Sequence, residues 1–219
     1  MIDNLIEQLQ QPFPAEDIEW RVQRAMNTAK GNKAIVLAYV TNRAIMNRLD
    51  KVFGPGNWKN EYKEWRATGI LCGISAKIDG EWVTKYDGAG ETAIESIKGG
   101  FSDSMKRAAV QWGIGRYLYN LEENWVDIKE RGQNYISTKV KVNGKDEFVK
   151  GYWDTPILPN WALPELTVTE VLELWTKAGG TEEQFDAKVK KEWGIDRSAM
   201  KQNHLTGIMQ LLKNKLKAS

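Results

Sequence analysis

The 219-residue sequence predicts an α+β fold: a curved antiparallel β-sheet, a meander, packed on one long helix and followed by a small C-terminal helical module. Three patterns carry that expectation. Ile70, Cys72, Ile74, Ala76 and Ile78 alternate strictly, and Trp82, Thr84 and Tyr86 alternate after Asp79-Gly80. An Asp-Gly pair between two alternating runs is the strongest short-range hairpin signal, because both central residues of the turn need positive φ. Met105, Ala108, Ala109, Trp112 and Tyr119 then recur at helical spacing,. Finally, Pro156, Pro159 and Pro164 read as a linker before three short amphipathic segments.

The remaining elements follow in order. Ile2, Leu5, Ile6 and Leu9 mark an opening amphipathic helix that Phe13-Pro14 stops,. Ile18, Trp20 and Val22 alternate, Ala34 to Val40 is a β-branched apolar run, and Lys30-Gly31-Asn32-Lys33 between them reads as a hairpin loop,. Thr41 suits the N-cap of a helix that buries Ile45, Leu49, Val52 and Phe53, and Gly54-Pro55-Gly56 ends it,. Residues 57–67 add a further strand. Gly88, Gly90, Gly99 and Gly100 bracket a short segment, Glu91 to Lys98, after which the long helix is expected to start at a Ser102 cap. Asn143-Gly144 marks a second hairpin between Thr138–Val142 and Lys145–Val149. Beyond the prolines, Thr181-Glu182-Glu183-Gln184 forms a capping box before Phe185, Val189 and Trp193,. Leu205, Ile208, Met209, Leu212 and Leu216 mark the last helix. The expected division is residues 1–158 and 159–219.

Composition narrows the function. Lys and Arg total 31 against 29 Asp and Glu, a net charge of +2. That balance excludes a polycation or an acidic tail, so any basic site must be local. One cysteine, Cys72, excludes an intrachain disulfide and a multi-cysteine metal site, and one histidine, His204, excludes a two-histidine metal site,. Cys72 reads as a small core residue and His204 as a solvated or capping one. The longest apolar run, Ala34 to Val40, falls far short of the roughly 30 Å of a lipid core. The N-terminus lacks the basic start of a secretory signal, so no membrane and a cytoplasmic location are expected. No phosphate-binding Gly-x-x-x-x-Gly-Lys-Ser/Thr loop exists, and Gly88-Ala89-Gly90 and Gly113-Ile114-Gly115 lack the third glycine of a dinucleotide cradle,. No cofactor is called for. Ten Trp and seven Tyr are residues that pack on one side and meet partners on the other.

Two clusters remain. Asp87, Glu91, Glu95 and Asp103 could hold magnesium in a nuclease, or form a solvated acidic face,. Residues 98–116 carry Lys98, Lys106, Arg107 and Arg116 against one acid, Asp103. Lys106, Ala109, Val110 and Gly113 share a helix face, and cations beside small residues let a phosphodiester backbone approach closely. The glycines call for a reason, since each costs about 1 kcal/mol in a helix interior. Tight helix–sheet packing with solvated cations is the alternative account.

The block Phe101-Ser102-Asp103-Ser104-Met105-Lys106-Arg107-Ala108-Ala109-Val110-Gln111-Trp112-Gly113-Ile114-Gly115-Arg116-Tyr117-Leu118-Tyr119 closely resembles the signature helix of bacteriophage Sak-type single-strand annealing proteins. These belong to the Rad-fifty-two (Rad-twenty-two) superfamily. Three further blocks occur in that superfamily's order: Tyr39-Val40-Thr41-Asn42-Arg43 leading into Arg48-Leu49-Asp50, then Phe53-Gly54-Pro55-Gly56-Asn57-Trp58, then Asp87-Gly88-Ala89-Gly90-Glu91-Thr92. The likeness spans residues 10–125. It implies a sheet packed on a long helix, with subunits side by side in a ring or helical oligomer. A groove around that assembly holds a DNA strand by its backbone with the bases outward.

By position, Lys106 and Arg107 match the paired basic residues of that helix, and Arg43 a basic residue of the same groove. Val110 stands where eukaryotic relatives carry another arginine, and Arg116 is the candidate to replace it. Lys98 joins them from the charge pattern. The implied function is ATP-independent annealing of single-stranded DNA in phage recombination and repair, without enzymatic chemistry. The implied partners are single-stranded DNA, the annealed duplex intermediate and further copies of the chain. The C-terminal helices, which the likeness does not cover, read from their amphipathic pattern and near-zero charge as a docking unit for a host single-strand-binding protein or a phage nuclease. Two other readings stand beside it: a magnesium-dependent nuclease using Asp87, Glu91 and Glu95, and a protein-interaction adaptor built on the C-terminal helices.

Overall fold

In the computed structural model, which describes residues 2–66, 69–90, 96–142 and 145–217, the chain divides into two units, Met1–Leu163 and Pro164–Ser219. The first opens with α1 (Ile2–Gln10), the hairpin β1 (Ile18–Thr28) and β2 (Gly31–Val40), and α2 (Asn42–Phe53). Strands β3 (Trp58–Trp65), β4 (Gly69–Ile78) and β5 (Glu81–Gly90) precede α3 (Ser96–Gln111), and β6 (Asn124–Asp127), β7 (Asn134–Val142) and β8 (Lys145–Trp153) follow it. Every strand pairing among the described residues is antiparallel: β3-β4-β5 is a meander, β1-β2-β6 a second sheet and β7-β8 a ribbon. Asp79 and Gly80 take φ of 50° and 91° at the β4–β5 turn, the positive values that Asp-Gly accommodates.

The short sequence blocks around α2 are joints. The Arg48 guanidinium donates to the carbonyls of Gln8, Gln11 and Pro12 at 3.0, 2.8 and 3.3 Å and lies 3.9 Å from the Phe13 ring centroid. It thereby satisfies carbonyls that the end of α1 leaves without helical partners. Thr41 caps α2 by accepting the Ala44 N–H, and Gly54, at φ 80°, ends it. Asp50 accepts the Trp58 indole N–H at 2.6 Å and the Asn57 amide donates to the Phe53 carbonyl at 2.9 Å, which fixes the turn into β3.

The long helix differs from its expected bounds at both ends. It starts at Ser96, so Ser102 lies inside it, where its hydroxyl accepts the Asn42 amide at 3.1 Å instead of capping. Gly100 is tolerated in the helix because a Cβ there would sit 2.8 Å from Ile70 Cδ1. At the other end α3 stops at Gln111 rather than running to Tyr119, because Gly113 and Gly115 adopt φ of 91° and 70° and a 3₁₀ turn, Arg116–Asn120, follows. These glycines reverse the backbone; they are not helix-interior residues that exchange stability for DNA access.

Leu49, Ile74, Ala108 and Ala109 are buried in a core shared by α2, α3 and the sheets. Trp112 closes it, donating its indole N–H to the Ile74 carbonyl at 3.0 Å with its ring edge-on to Phe53. Cys72 is buried there, as expected, and burial pushes its thiol pKa up to about 11. β6, whose four residues show no clear alternation, was not anticipated; it pairs with Lys33–Val36 of β2. The β7–β8 ribbon is longer than the hairpin expected, and the Asn143-Gly144 turn lies outside the described residues. Leu158 and Ala162 are buried in the first unit's core, so that unit runs to Leu163.

The second unit packs α4 (Val168–Lys177), α5 (Glu182–Trp193) and α6 (Gln202–Lys217) around Val171, Phe185, Val189 and Ile208. The Thr181–Gln184 capping box is present, and Thr167–Glu170 forms a second that was not read from the sequence. His204 accepts the Lys201 N–H and stacks on Trp193. Among the described residues no helix is long and apolar enough to cross a membrane.

The reversal after α3 makes a prediction. A Cβ on Gly115 would lie 2.5 Å from Val40 Cγ2 in addition to needing left-handed φ. Gly115→Ala should cost about 2 kcal/mol and lower the first unit's melting temperature by about 4–8 °C. Gly56→Ala, where a Cβ meets open space, should stay within about 0.5 kcal/mol; differential scanning calorimetry distinguishes the two.

Candidate nucleic-acid interface

Successive positions on a helix point about 100° apart, and on α3 this sends the two central cations to different strands. Lys106 reaches Glu19 of β1 at 3.3 Å, while Arg107 reaches Asp87 of β5 at 3.1 Å. One turn earlier Asp103 pairs with Arg21 of β1 at 3.4 Å. Glu19 and Arg21 lie on one side of the strand, Asp103 and Lys106 on one side of the helix, and the charges cross over in complementary order. Between these pairs opens a cleft of about 610 Å³ whose lining includes Arg21, Tyr39, Lys106, Arg107, Tyr119 and the Gly88-Ala89-Gly90 backbone.

The Lys106 side chain is only 10% exposed, which corrects the expectation of a solvated cation. Its stem is packed under the cleft and only the ammonium meets Glu19. Burial pushes the Asp87 carboxyl up, but hydrogen bonds from Gln111, the Gly88 N–H and Arg107 outweigh it and hold its pKa below the ordinary value. Burial is also the main reason that the Tyr39 phenol titrates above its usual range, with Tyr119 adding to it. The Tyr39 phenol therefore stays neutral, its single O–H proton retained, at neutral pH.

The other residues singled out in the sequence are distributed differently. Arg116 turns its guanidinium back onto the Val110 and Gln111 carbonyls, at 2.7 to 2.9 Å. It caps the end of α3 and is not among the residues that line the cleft. Arg43 is exposed on the first turn of α2 and also lies off the cleft lining. Lys98 is in the first turn of α3, and its side chain lies outside the described residues. Glu91 and Glu95 lie outside them too, while Asp87 is committed to Arg107 and Gln111. Among the described residues no cluster of acidic, histidine or cysteine side chains is placed to hold a metal ion.

Arg21, Tyr39 and Tyr119 were missed. The sequence signal for Arg21 was the Glu19-x-Arg21 pair on one side of a strand, complementary to Asp103-x-x-Lys106. Nothing in the sequence brings those two pairs together.

The profile of the Rad52/22 family double-strand break repair proteins matches residues 1–136, and the chain belongs to that family. It is 32% identical over 166 residues to the single-stranded DNA-binding protein DdrA of Deinococcus radiodurans, covering 75% of this chain and 70% of the relative. Its identity to the DdrA of Deinococcus deserti is 30% over 172 residues, covering 75% of this chain and 72% of that one.

The Asp87 contacts predict a pH dependence. A carboxyl held below its ordinary pKa when folded takes up protons first in the unfolded chain as pH falls. Its stabilisation is complete above the ordinary carboxylate range and is lost as the solution is acidified below about pH 4. Asp87→Asn should therefore unfold at lower urea concentration than wild type at pH 6, with the gap narrowing towards pH 3. A gap that stays constant would show that the carboxylate charge is not what Asp87 contributes.

Proposed function

We propose that the chain is an ATP-independent single-strand annealing protein of DNA recombination and repair. The observation that carries this reading is the adjacent Lys106 and Arg107, displayed by α3 on one cleft between β1 and β5. Family membership and the single-stranded DNA binding for which the Deinococcus relatives are named support it. Phosphates take the place of Glu19 and Asp87 beside the two cations, and the Gly88-Ala89-Gly90 wall lets the sugar–phosphate backbone come close. Arg43 and Lys98 add flanking phosphate contacts, and Arg116 holds the end of α3. Held by its backbone, the strand presents its bases outward to a complement, a task that needs no bond chemistry and no cofactor.

The likeness of the α3 block to Sak-type helices supports a phage recombination role in the host cytoplasm. Open strand edges and the exposed Trp65, Trp82 and Trp125 support side-by-side assembly of many copies into a ring or helical arc. The second unit, with 9 basic and 8 acidic residues from 160 to 219, fits docking of a host single-strand-binding protein or a phage nuclease better than a further DNA site.

Lys106→Met, which keeps the packed stem, and Arg107→Ala should each weaken binding to all single strands alike and flatten the slope of log K against log salt by about 0.7. Arg43→Ala should do the same, and Lys190→Ala on α5 should change nothing. Fluorescence anisotropy of a labelled oligonucleotide across a salt series reads both quantities. If affinity and slope persist in the Lys106, Arg107 and Arg43 variants alike, the strand lies elsewhere.

A chain cut after Leu163, which spares the buried Ala162, should retain a many-subunit mass in light scattering and anneal naked strands. It should lose stimulation on strands coated by the host single-strand-binding protein. Failure to bind naked DNA would refute this division of labour.

A further inference from the structure

We infer that the outer face of the β7–β8 ribbon is an additional contact site for single-stranded nucleic acid, with rings that stack on bases and lysines that meet phosphates. This inference rests on the reading of the chain as a single-strand-binding protein and adds a surface outside the cleft. The register sets the face: Tyr135 stands opposite Tyr152, Lys139 opposite Phe148, and Ser137 opposite Lys150. The alternate residues Ile136 and Val149 are buried. The outward face of a half-buried ribbon is ordinarily polar, yet here Tyr135, Phe148 and Tyr152 are 61%, 56% and 38% exposed.

Those rings are set among cations. The Lys139 and Lys150 ammonium groups lie 5.6 and 5.0 Å from the Phe148 centroid, and Tyr135 and Tyr152 pair across the ribbon at 5.2 Å. The contrast with the cleft is electrostatic. Lys106, Arg107 and Arg21 each face a carboxylate of the same chain. Among the described residues, Lys139, Lys141 and Lys150 belong to no ion pair. A phosphate can approach them without displacing an internal partner.

Exposed π faces beside unpaired ammonium groups are the chemistry that a flexible single strand satisfies, because its bases are free to leave their neighbours and stack; a duplex keeps its faces covered. The family match ends at residue 136, so most of this ribbon lies beyond it.

The test uses the full chain and two labelled strands, oligothymidine and an abasic strand of equal length. Phe148→Ala and Phe148→Leu should weaken oligothymidine binding about tenfold, leave the salt slope unchanged, and leave abasic-strand binding unchanged. Lys139→Gln and Lys150→Gln should flatten the slope for both strands by about 0.7 each. Circular dichroism of each variant should match wild type, since the side chains are exposed. Normal affinity and slope in all four variants, with wild type binding well, would overturn the inference and leave the cleft reading intact. If those variants instead lost self-association in light scattering, the face would belong to a second copy of the chain and the inference would equally fall. Absence of wild-type binding to either strand would defeat the underlying reading first.

Discussion

The close seating of α3 on the sheets is the constraint from which the rest of the first unit follows. Gly100, Ser104 and Ala108 recur every four residues and are all buried, and at Gly100 not even a methyl group fits against Ile70 without a shift. Small residues along one helix face let backbones approach, and apolar contact over that length outweighs the lower helix propensity of glycine and serine. Because the helix sits so low, the short reach of Glu19 and Asp87 suffices to meet Lys106 and Arg107. A helix raised by larger side chains would leave those four charges to water and the cleft would lose its shape.

The cleft is therefore largely self-neutralised. Three cations line it, and each has a carboxylate within about a hydrogen-bond length in the free protein. Partly exposed ion pairs contribute little net stability, which on the proposed reading lets phosphates take the place of their carboxylates. For the proposed annealing role this matters, because a strand held too tightly cannot be passed to the product duplex. On the proposed reading, it also accounts for a phosphate site on a chain of net charge +2 without a strongly basic composition.

Several residues that look functional in the sequence serve geometry. Arg48 closes the end of α1, Asp50 and Asn57 set the exit from α2, and Arg116 closes the end of α3. Gly113 and Gly115 turn the chain back after that helix. These joints hold the strands and helices that form the cleft walls, and an arginine at a helix terminus is easily mistaken in one dimension for one that faces a ligand.

Most strands, the Asp79-Gly80 turn, the helical repeats and the proline-marked change to a helical module were determined by the sequence alone, because each is a local property of alternation, periodicity or turn chemistry, whereas Gly31 to Lys33, expected in a loop, already pair in β2. Lys106 and Arg107 were legible for the same reason, as neighbours on one helix. The tertiary structure alone decided which cations face a common space: it brought Arg21 and Tyr39 from the β1–β2 hairpin to α3, turned Arg116 onto backbone carbonyls, and buried the stem of Lys106. It also added β6 to the edge of β2. Except for the local turn of Arg116 onto carbonyls five and six residues before it, those outcomes depend on contacts between distant segments, such as Arg21 with Asp103 and Glu19 with Lys106. No periodicity of a single segment encodes such a meeting, since it arises only when the helix and the two sheets share one core.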